Sequence, residues 1–265
     1  MELIRLEAWE LSVAAALVVA LSLLSLPLRL DLTRSLLVSG LRMTIQLLLV
    51  GLVLKALFES RHPLVMAAIA AVMLAVAARE VAARQERRLA GTWGYGLGAL
   101  AMFLSSFTMI LVALTIIVRP EPWWTPQYAV PMLGMLLGNT MTGIALALDR
   151  LNQGAWEQRP QIEARLLLGC PAAEAIGDLR RRAARAGMLP TINTMAAAGV
   201  VSLPGMMTGQ ILAGSPPVEA VKYQILILFL IVAGVGVGTL VAVWLGARRL
   251  FDERERLRLD RLRQG

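Results

Sequence analysis

The chain has 265 residues, of which 57% are hydrophobic, with a mean hydropathy of +0.67 and a formal net charge of +8. Several windows of about 20 residues carry almost no charge, and this is the length that an α-helix needs to cross the hydrocarbon core of a bilayer. We therefore expect an all-α, polytopic integral membrane protein. The single cysteine, Cys170, excludes an internal disulfide and a cysteine-based metal cluster. The single histidine, His62, is predicted to lie in a loop rather than to bind a ligand.

The amino-terminal segment resembles a signal peptide in its hydrophobicity but not in its other features. It carries Glu2 and Glu7 beside Arg5 instead of a basic leading region, and no small-residue cleavage site separates it from the next apolar run. We expect this segment to be a retained first membrane helix.

Seven predicted membrane spans follow one another along the chain. Their bounds are residues 8 to 26, 36 to 56, 63 to 78, 93 to 118, 128 to 148, 191 to 212 and 221 to 246. Twenty arginines and lysines fall in one set of alternate gaps and five in the other. Because positive charges stay on the cytoplasmic side, this count predicts an outside N-terminus and a cytoplasmic C-terminus. The clustering in gaps indicates contact with lipid headgroups and argues against a nucleic-acid partner.

Residues 149–190 are the largest predicted soluble piece of what we interpret as a single permease domain, residues 1–265. About 40 residues cannot enclose a core of their own. The pattern predicts one helix from Gln161 to Leu168, a break at Gly169-Cys170-Pro171, and a second helix from Ala172 to Ala186 that ends at Gly187. An amphipathic hairpin of this kind on the cytoplasmic face needs a partner. The alternative is a helix pair that lies on the membrane surface and binds no protein.

The last segment, residues 247–265, alternates arginine with acidic residues and carries a few leucines. The spacing of opposite charges supports a helix. We interpret this segment as a charged, solvated cytoplasmic tail that helps to set the topology, rather than as a docking site.

Polar side chains inside the spans are candidates for function. In span 2, the sequence LRMTIQ places Arg42 and Gln46 one helical turn apart on the same face. An arginine within a span usually faces protein or water, although Arg42 lies close enough to the cytoplasmic end to reach the headgroups instead. In span 5, Asn139 and Thr140 lie at mid-membrane depth, where we expect hydrogen bonds to neighbouring helices.

Span 6 contains the sequence SLPGMMTGQ, which interrupts an otherwise apolar helix. Pro204 removes a backbone donor and Gly205 loosens the helix, so we expect a kink or a break here. Such breaks are tolerated in a bilayer where protein or a water-lined cavity covers them. The stretch is therefore a candidate pathway wall or hinge, and a purely structural kink is the alternative. Its candidate residues are Ser202, Pro204, Gly205, Met206, Met207, Thr208 and Gln210.

Two stretches resemble one transporter family. Residues 163–169, EARLLLG, resemble the opening of the EAA loop, with which ABC-transporter permeases dock a short coupling helix onto their ATPase subunit. Residues 187–224 are similar to the FetB-type permeases, proposed iron exporters with plant relatives linked to aluminium tolerance and UDP-glucose. The resemblance covers essentially the whole chain. Two departures are Arg165, which replaces the second alanine of the motif, and Leu189-Pro190, which lies further from the glycine than in the general pattern.

The resemblance implies the membrane subunit of an ABC transporter in the bacterial inner membrane, paired with itself and with a separate ATPase. It assigns ATPase coupling to Glu163, Ala164, Gly169 and Pro171. The chain has no GxxxxGK[ST] phosphate loop, so ATP and magnesium are expected on the partner. No cofactor and no catalytic residue are expected on this chain.

The family further implies export of iron, but the residues do not define a metal site. Iron favours carboxylate, imidazole or thiolate ligands, whereas the spans offer methionines, Asn139 and hydroxyls, which suit softer metals. A chelated metal, a nucleotide sugar or a lipid-like substrate is the alternative. An ATPase-independent channel or carrier would need intramembrane acids or matched halves, and the spans show neither. A membrane scaffold that binds a partner through the hairpin is a further hypothesis.

Overall fold

The computed structural model describes residues 7–29, 32–59 and 62–264, so that Glu2, Arg5 and Gly265 lie outside the described residues. The prediction of an all-α membrane protein is confirmed, with one small two-stranded ladder added. The helices are α1 (Ala8–Leu24), α2 (Thr33–Glu59), α3 (Pro63–Ala83), α4 (Thr92–Met102), α5 (Thr108–Val112), α6 (Pro126–Glu157), α7 (Arg159–Leu167), α8 (Ala172–Ala175), α9 (Gly177–Ala197), α10 (Gly205–Leu212) and α11 (Pro217–Arg249). The strands are β1 (Arg87–Leu89) and β2 (Leu262–Gln264).

Five of the described helices are long and apolar enough to cross a bilayer, and α1 is a shorter apolar helix. They match six of the predicted spans, with α4 and α5 joined into one continuous helix, Thr92–Val118. The remaining prediction, a single helix over residues 191–212, is wrong. This region holds the end of α9, a non-helical segment and α10. The orientation of the chain stays a prediction.

The chain forms two compact units, and the first is Met1–Arg61. Within it, α1 and α2 are joined by a reciprocal pair of hydrogen bonds. The Ser22 hydroxyl donates to the Thr33 carbonyl at 3.2 Å, and the Thr33 hydroxyl donates to the Ser22 carbonyl at 3.0 Å. Apart from the half-buried Leu36, the apolar side chains of α2 that the structure describes are exposed. Such a surface is suited to lipid or protein rather than to water.

The second unit, His62–Gly265, is organised around α6, which packs against α3, α9 and α11. Leu179 of α9 lies against Gly154, and further along α9 Gly187 lies against Gly143, so α9 runs antiparallel to α6. The second contact is between backbones. A Cβ atom on Gly187 would lie 2.5 Å from the Gly143 carbonyl oxygen and 2.8 Å from Ala147 Cβ. Small residues allow this close approach, as is usual for helices that pack in membranes.

This contact corrects the prediction that the second hairpin helix ends at Gly187. Helix α9 continues through Gly187 and Pro190 to Ala197, because Gly187 is needed at a helix crossing and not at a helix end. Pro190 is accommodated within the helix, where its carbonyl also accepts a hydrogen bond from the Thr194 hydroxyl at 3.0 Å. The predicted start at Ala172 is right, but it belongs to the single-turn helix α8.

The prediction that the tail is a helix is wrong, and only its charged side chains are solvated. Helix α11 ends at Arg249, and the chain then turns back so that β2 pairs antiparallel with β1. Local charge spacing favoured a helix, but tertiary burial outweighs it, because the apolar side chains of the tail join the core of the second unit. These buried side chains are Leu250, Phe251, Leu259 and Leu262.

Candidate functional site

The predicted ATPase-coupling residues lie together in the hairpin formed by α7 and α8. Glu163 accepts a hydrogen bond from the Arg159 side chain at 2.8 Å, one helical turn away, and Ala164 is exposed beside it. Pro171 precedes α8, where its fixed φ suits a helix start. The hairpin is thus a defined element with a charged outer face.

The turn at the end of α7 depends on Gly169. Its φ of +87° lies in the left-handed region, which favours glycine, and its amide donates to the Leu166 carbonyl at 3.0 Å. The turn leaves two apolar side chains uncovered, since Leu167 is 88% exposed and Leu168 is 84% exposed. The two neighbouring leucines form an apolar surface that a partner could cover.

Arg165, the departure from the family motif, has a structural role in this hairpin. Its guanidinium donates to Asp178 at 3.1 Å, at the start of α9. Arg165 and then Arg181 lower the pKa of the Asp178 carboxyl below its usual value through their hydrogen bonds. The interaction therefore ties α7 to the beginning of α9.

The predicted break in span 6 exists, but it begins before Pro204. The helical hydrogen-bond pattern ends at Ala197, whose carbonyl accepts from the amides of both Val201 and Ser202. Gly199 has a φ of +86°, and its amide donates to the Ser202 carbonyl at 2.9 Å. Pro204 is the N-cap of α10 rather than the centre of a kink, because its missing N–H suits a helix start. We call residues 198–204 the break.

The side chains of the break point to a surface that is not covered. Val200 is 91% exposed and Val201 is 83% exposed. Ser202 and Gly205 are exposed, whereas Met206 is half-buried.

In α10, the predicted residues are more enclosed. Met207 is buried, and the Thr208 hydroxyl donates to the Pro204 carbonyl at 3.3 Å. The carbonyl oxygen of the Gln210 side chain is buried without a hydrogen-bond partner among the described residues, and so is that of Gln224 in α11. Sequence reasoning missed Gln224, although a glutamine inside a long apolar helix is the signal that could have found it.

Asn139 and Thr140 in α6 point in different directions. Asn139 is exposed, and its amide donates to the Met135 carbonyl of the same helix at 2.8 Å, so the predicted bond to a neighbouring helix is absent from the described residues. Thr140 is fully buried and accepts from the Ser106 hydroxyl at 3.3 Å. The prediction of an interhelical hydrogen bond is therefore right for Thr140 and wrong for Asn139.

Ser106 lies in a π-helical segment, Phe103–Phe107, that the sequence analysis did not anticipate. Ser105 in the same segment is also fully buried, and a Cβ atom on Gly238 of α11 would lie 2.7 Å from its hydroxyl oxygen. The Thr239 hydroxyl nearby in α11 is buried without a hydrogen-bond partner among the described residues. Single-turn π-helical insertions often occur at functional sites.

Arg42 and Gln46 lie in the first unit, on the exposed part of α2. The structure places the other candidate pathway residues in the second unit. Between them, the hydroxyl of Thr44 donates to the Gly40 carbonyl of the same helix at 3.0 Å. Across the parts of the chain that the structure describes, no group of three histidine, cysteine, aspartate or glutamate side chains could hold a metal ion.

Apolar helices that are long enough to span a bilayer define a multi-pass α-helical membrane protein. The chain belongs to the family described as "Uncharacterised protein family (UPF0014)", whose model matches residues 8–251.

Three relatives in this family are similar over almost their whole length. The UPF0014 membrane protein slr1647 of Synechocystis is 38% identical over 230 residues, covering 86% of this chain and 87% of the relative. The UPF0014 membrane protein YjkA of Bacillus subtilis is 32% identical over 249 residues, covering 94% and 97%. The "Probable iron export permease protein FetB" of Escherichia coli is 32% identical over 260 residues, covering 96% of each chain. The resemblance to FetB-type permeases is thereby confirmed. No solved structure matches the chain with statistical significance.

Proposed function

We propose that this protein is the membrane subunit of an ABC transporter and that a separate ATPase subunit docks onto its α7–α8 hairpin. The observation that carries the proposal is the pair of uncovered leucines, Leu167 and Leu168, at a glycine turn between two short helices. ATP and magnesium are bound by the partner, and this chain supplies no catalytic residue. The proposed location is the bacterial inner membrane.

The position of the hairpin supports a partner in water. Asp149 is the first charged residue of α6 after its apolar stretch, and Glu157 ends the helix. At a rise of 1.5 Å per residue, the end of α6 lies about 12 Å beyond Asp149. The hairpin that follows is thus well separated from the hydrocarbon, and lipid is a poor partner for its exposed leucines.

Helix α9 connects this hairpin with the break. Its first turn is held to α7 by the Arg165–Asp178 ion pair, and its middle crosses α6 at Gly187. In our proposal, docking of the ATPase displaces the hairpin and α9 transmits the movement to the break. A helix is stiff enough to act in this way, whereas a flexible linker is not.

The break lies at membrane depth. At the rise of an α-helix, Gly143 is about 25 Å from Pro126 along α6, and Ala197 is about 15 Å from Gly187 along the antiparallel α9. The break therefore begins about 10 Å short of the outer end of α6. Non-helical backbone at this depth requires cover by protein or a water-filled cavity. We propose that it lines the translocation pathway, at or near the seam of a permease homodimer.

Iron or another metal is the proposed cargo, by analogy with the name of the Escherichia coli relative. The described residues offer amides, hydroxyls and thioethers but no acidic or histidine cluster. Such groups would suit a metal that travels as a complex better than a bare iron ion. A nucleotide sugar or a lipid-like molecule is the second candidate, because the unpartnered side-chain oxygens of Gln210 and Gln224 accept hydrogen bonds from neutral donors equally well.

Co-expression tests the proposal directly. The chain would be produced with each ABC ATPase subunit of the same genome that has no membrane domain of its own, and the products would be purified through a tag on the permease. We expect one ATPase to co-purify and to hydrolyse ATP. Failure of every such ATPase to bind would contradict the proposal.

A matched pair of glycine variants then locates the contact. Gly169→Ala places a Cβ atom at a φ of +87°, which strains the turn, whereas Gly177→Ala is at an ordinary φ with only the Arg181 guanidinium nearby. We expect Gly169→Ala and Glu163→Gln each to weaken ATPase binding. Gly177→Ala should bind the ATPase as the wild type does. Equal binding by all three variants would contradict docking on the hairpin.

A further inference from the structure

A groove of about 600 Å³ separates the α7–α8 hairpin from the carboxy-terminal tail. The hairpin side of the groove contributes Leu166, Leu167 and Cys170. The tail side contributes Arg254, Arg256 and Leu257. Two segments that are more than 80 residues apart in the sequence therefore form one concave, partly apolar surface. We call it the hairpin–tail groove.

The tail wall of this groove is fixed by the fold. Glu255 accepts a hydrogen bond from the Ala172 amide at 3.2 Å, which joins the tail to the first residue of α8. Asp252 accepts from the amides of Arg254 and Arg256 at 3.0 and 2.9 Å. The amide and then the side chain of Arg256 lower the pKa of the Asp252 carboxyl, so this carboxylate keeps its charge to a lower pH than an ordinary aspartate. The wall is thus preformed.

The position of the tail is secured further along the chain. The Arg261 guanidinium donates to the carbonyls of Arg249 and Phe251 at 2.8 and 3.0 Å. The strand β2 then pairs with β1, which lies between α3 and α4. A segment that only set topology would need none of these contacts. The tail instead holds a defined surface against the hairpin.

The charges of the groove indicate what would fill it. The Glu163 carboxylate is paired with Arg159, and the Arg256 guanidinium is paired with Asp252. Arg254 is exposed and has no carboxylate within ion-pair distance among the described residues. The Glu255 carboxylate also lines the groove, but it accepts a hydrogen bond from the Ala172 amide. The groove therefore offers a partly apolar floor, and Arg254 is the one charged side chain of its lining without a partner among the described residues. Its complement is a protein surface with an apolar side chain beside an acidic one.

We propose that the carboxy-terminal tail is the second wall of the ATPase-docking site, so that the ATPase inserts into the hairpin–tail groove and places an acidic side chain against Arg254. This inference rests on the proposed function, because it names a further contact of the same partner. The end of α6, where the hairpin begins, lies about 12 Å beyond Asp149 along the helix, which favours a protein in water over a lipid as the occupant.

A charge reversal at Arg254 tests the tail contact. Binding of the purified permease to its ATPase would be measured for Arg254→Glu and for the control Arg263→Glu, an exposed arginine in β2 that lies outside the lining of the groove. We expect a loss of at least about tenfold in affinity for the first variant and less than about twofold for the second, since an ion pair is replaced by repulsion only at Arg254. Arg254→Gln should give an intermediate loss.

Cys170 supplies an independent readout because it is the only cysteine and lines the groove. In the wild type, the ATPase should slow the reaction of Cys170 with N-ethylmaleimide. In the absence of ATPase, Cys170 of the Arg254→Glu variant should react at the wild-type rate, which would show that the groove of the variant is intact.

Unimpaired ATPase binding by Arg254→Glu would overturn the inference and leave the proposed function standing. If protection of Cys170 instead rises with permease concentration in the absence of ATPase, a second copy fills the groove and the inference is wrong. If the wild type binds no ATPase, the proposed function fails with it.

Discussion

The middle of α9 and the segment that follows its end are opposite in character. At Gly187, the helix lies against α6 so closely that an added methyl group would collide with backbone. At Gly199, the chain is non-helical and exposed, and an added methyl group would have no neighbour within 4 Å among the described residues. One element is therefore held firmly at its centre and free just beyond its end. That is the arrangement expected of a lever with a fixed crossing point.

The largest expected effect comes from filling the fixed point. Gly187→Ala forces a Cβ atom to within 2.5 Å of the Gly143 carbonyl oxygen, so α6 and α9 must separate. Overpacking of this kind costs about 1–3 kcal/mol. We expect a clear fall in the midpoint of thermal unfolding in detergent. Gly209→Ala in α10 is the control, because a Cβ atom there would meet no described atom within 4 Å. Equal midpoints for the two variants would show that the crossing is not tight.

A smaller effect is expected at the free end. Gly199→Ala places alanine at a φ of +86°, which costs about 1–2 kcal/mol. Because the break packs against little of the described chain, this cost should change its conformation rather than unfold the protein. Transport in vesicles should fall while the unfolding midpoint stays close to that of the wild type. The control is Gly205→Ala, since Gly205 has an ordinary φ and an added Cβ atom would have no neighbour within 4 Å in the part of the chain that the structure describes. If the control also loses transport, then transport is sensitive to any added methyl group in this segment, and the left-handed conformation of Gly199 has no special role.

The buried hydroxyl pair beside the crossing should matter less than the crossing itself. Ser106→Ala removes the hydrogen bond to Thr140, and the net loss is about 1 kcal/mol. The matched control is Thr108→Ala on the same helix, because among the described residues its exposed hydroxyl bonds only to the Leu104 carbonyl of its own helix. Chemical unfolding of both variants would measure the difference. Indistinguishable stabilities would mean that the interhelical bond contributes nothing.

The smallest effect is expected from a change of pH, which acts on the ion pairs of Asp178 in the first turn of α9. The Arg165 and Arg181 guanidinium groups lower the pKa of Asp178, so this carboxylate stabilises the fold above its unfolded-state pKa of 3.8. The contribution is lost only as the pH falls through the lower pKa of the folded state. The difference in unfolding midpoint between the wild type and Asp178→Asn should therefore be constant from pH 8 to pH 5. A difference that disappears already in this range would show that the ion pair is not maintained.

Much of the fold could be predicted from the sequence because hydrophobic length is a local property. The apolar windows located α1 to α6 and α11 to within a few residues, apart from extensions into the polar layer. Gly187 was misread because a glycine near the end of a polar helix is ordinarily a C-cap. Only the antiparallel packing of α9 on α6 gives it another role. The tail was misread for the same reason, since its helix-like charge spacing is local and the burial of Leu259 and Leu262 is not.

The candidate site was predictable in part. Gly169 and the residues around it were found by resemblance to a known motif, and their turn has the expected geometry. The break was predicted from Pro204, but it starts earlier, at the left-handed conformation of Gly199. The residues around Gly199 in the sequence give no signal of that conformation. Ser106 and Gln224 were missed, because the role of an isolated polar residue in an apolar span depends on its hydrogen-bond partners, which the sequence does not show. Ser106 bonds to Thr140, whereas the side-chain oxygen of Gln224 has no partner among the described residues.

The most direct test of the account is whether ATP binding by an ATPase docked on the hairpin changes the break. A single cysteine would be placed at Val200 in a Cys170→Ser background, and at Val218 at the start of α11 as a reference. Labelling by a membrane-impermeant maleimide would be followed in liposomes that contain the permease and its ATPase. We expect the rate at position 200 to change severalfold between ATP and ADP while the rate at position 218 stays constant. The same rate at position 200 in both states, in a complex that hydrolyses ATP, would contradict the coupling of the hairpin to the break.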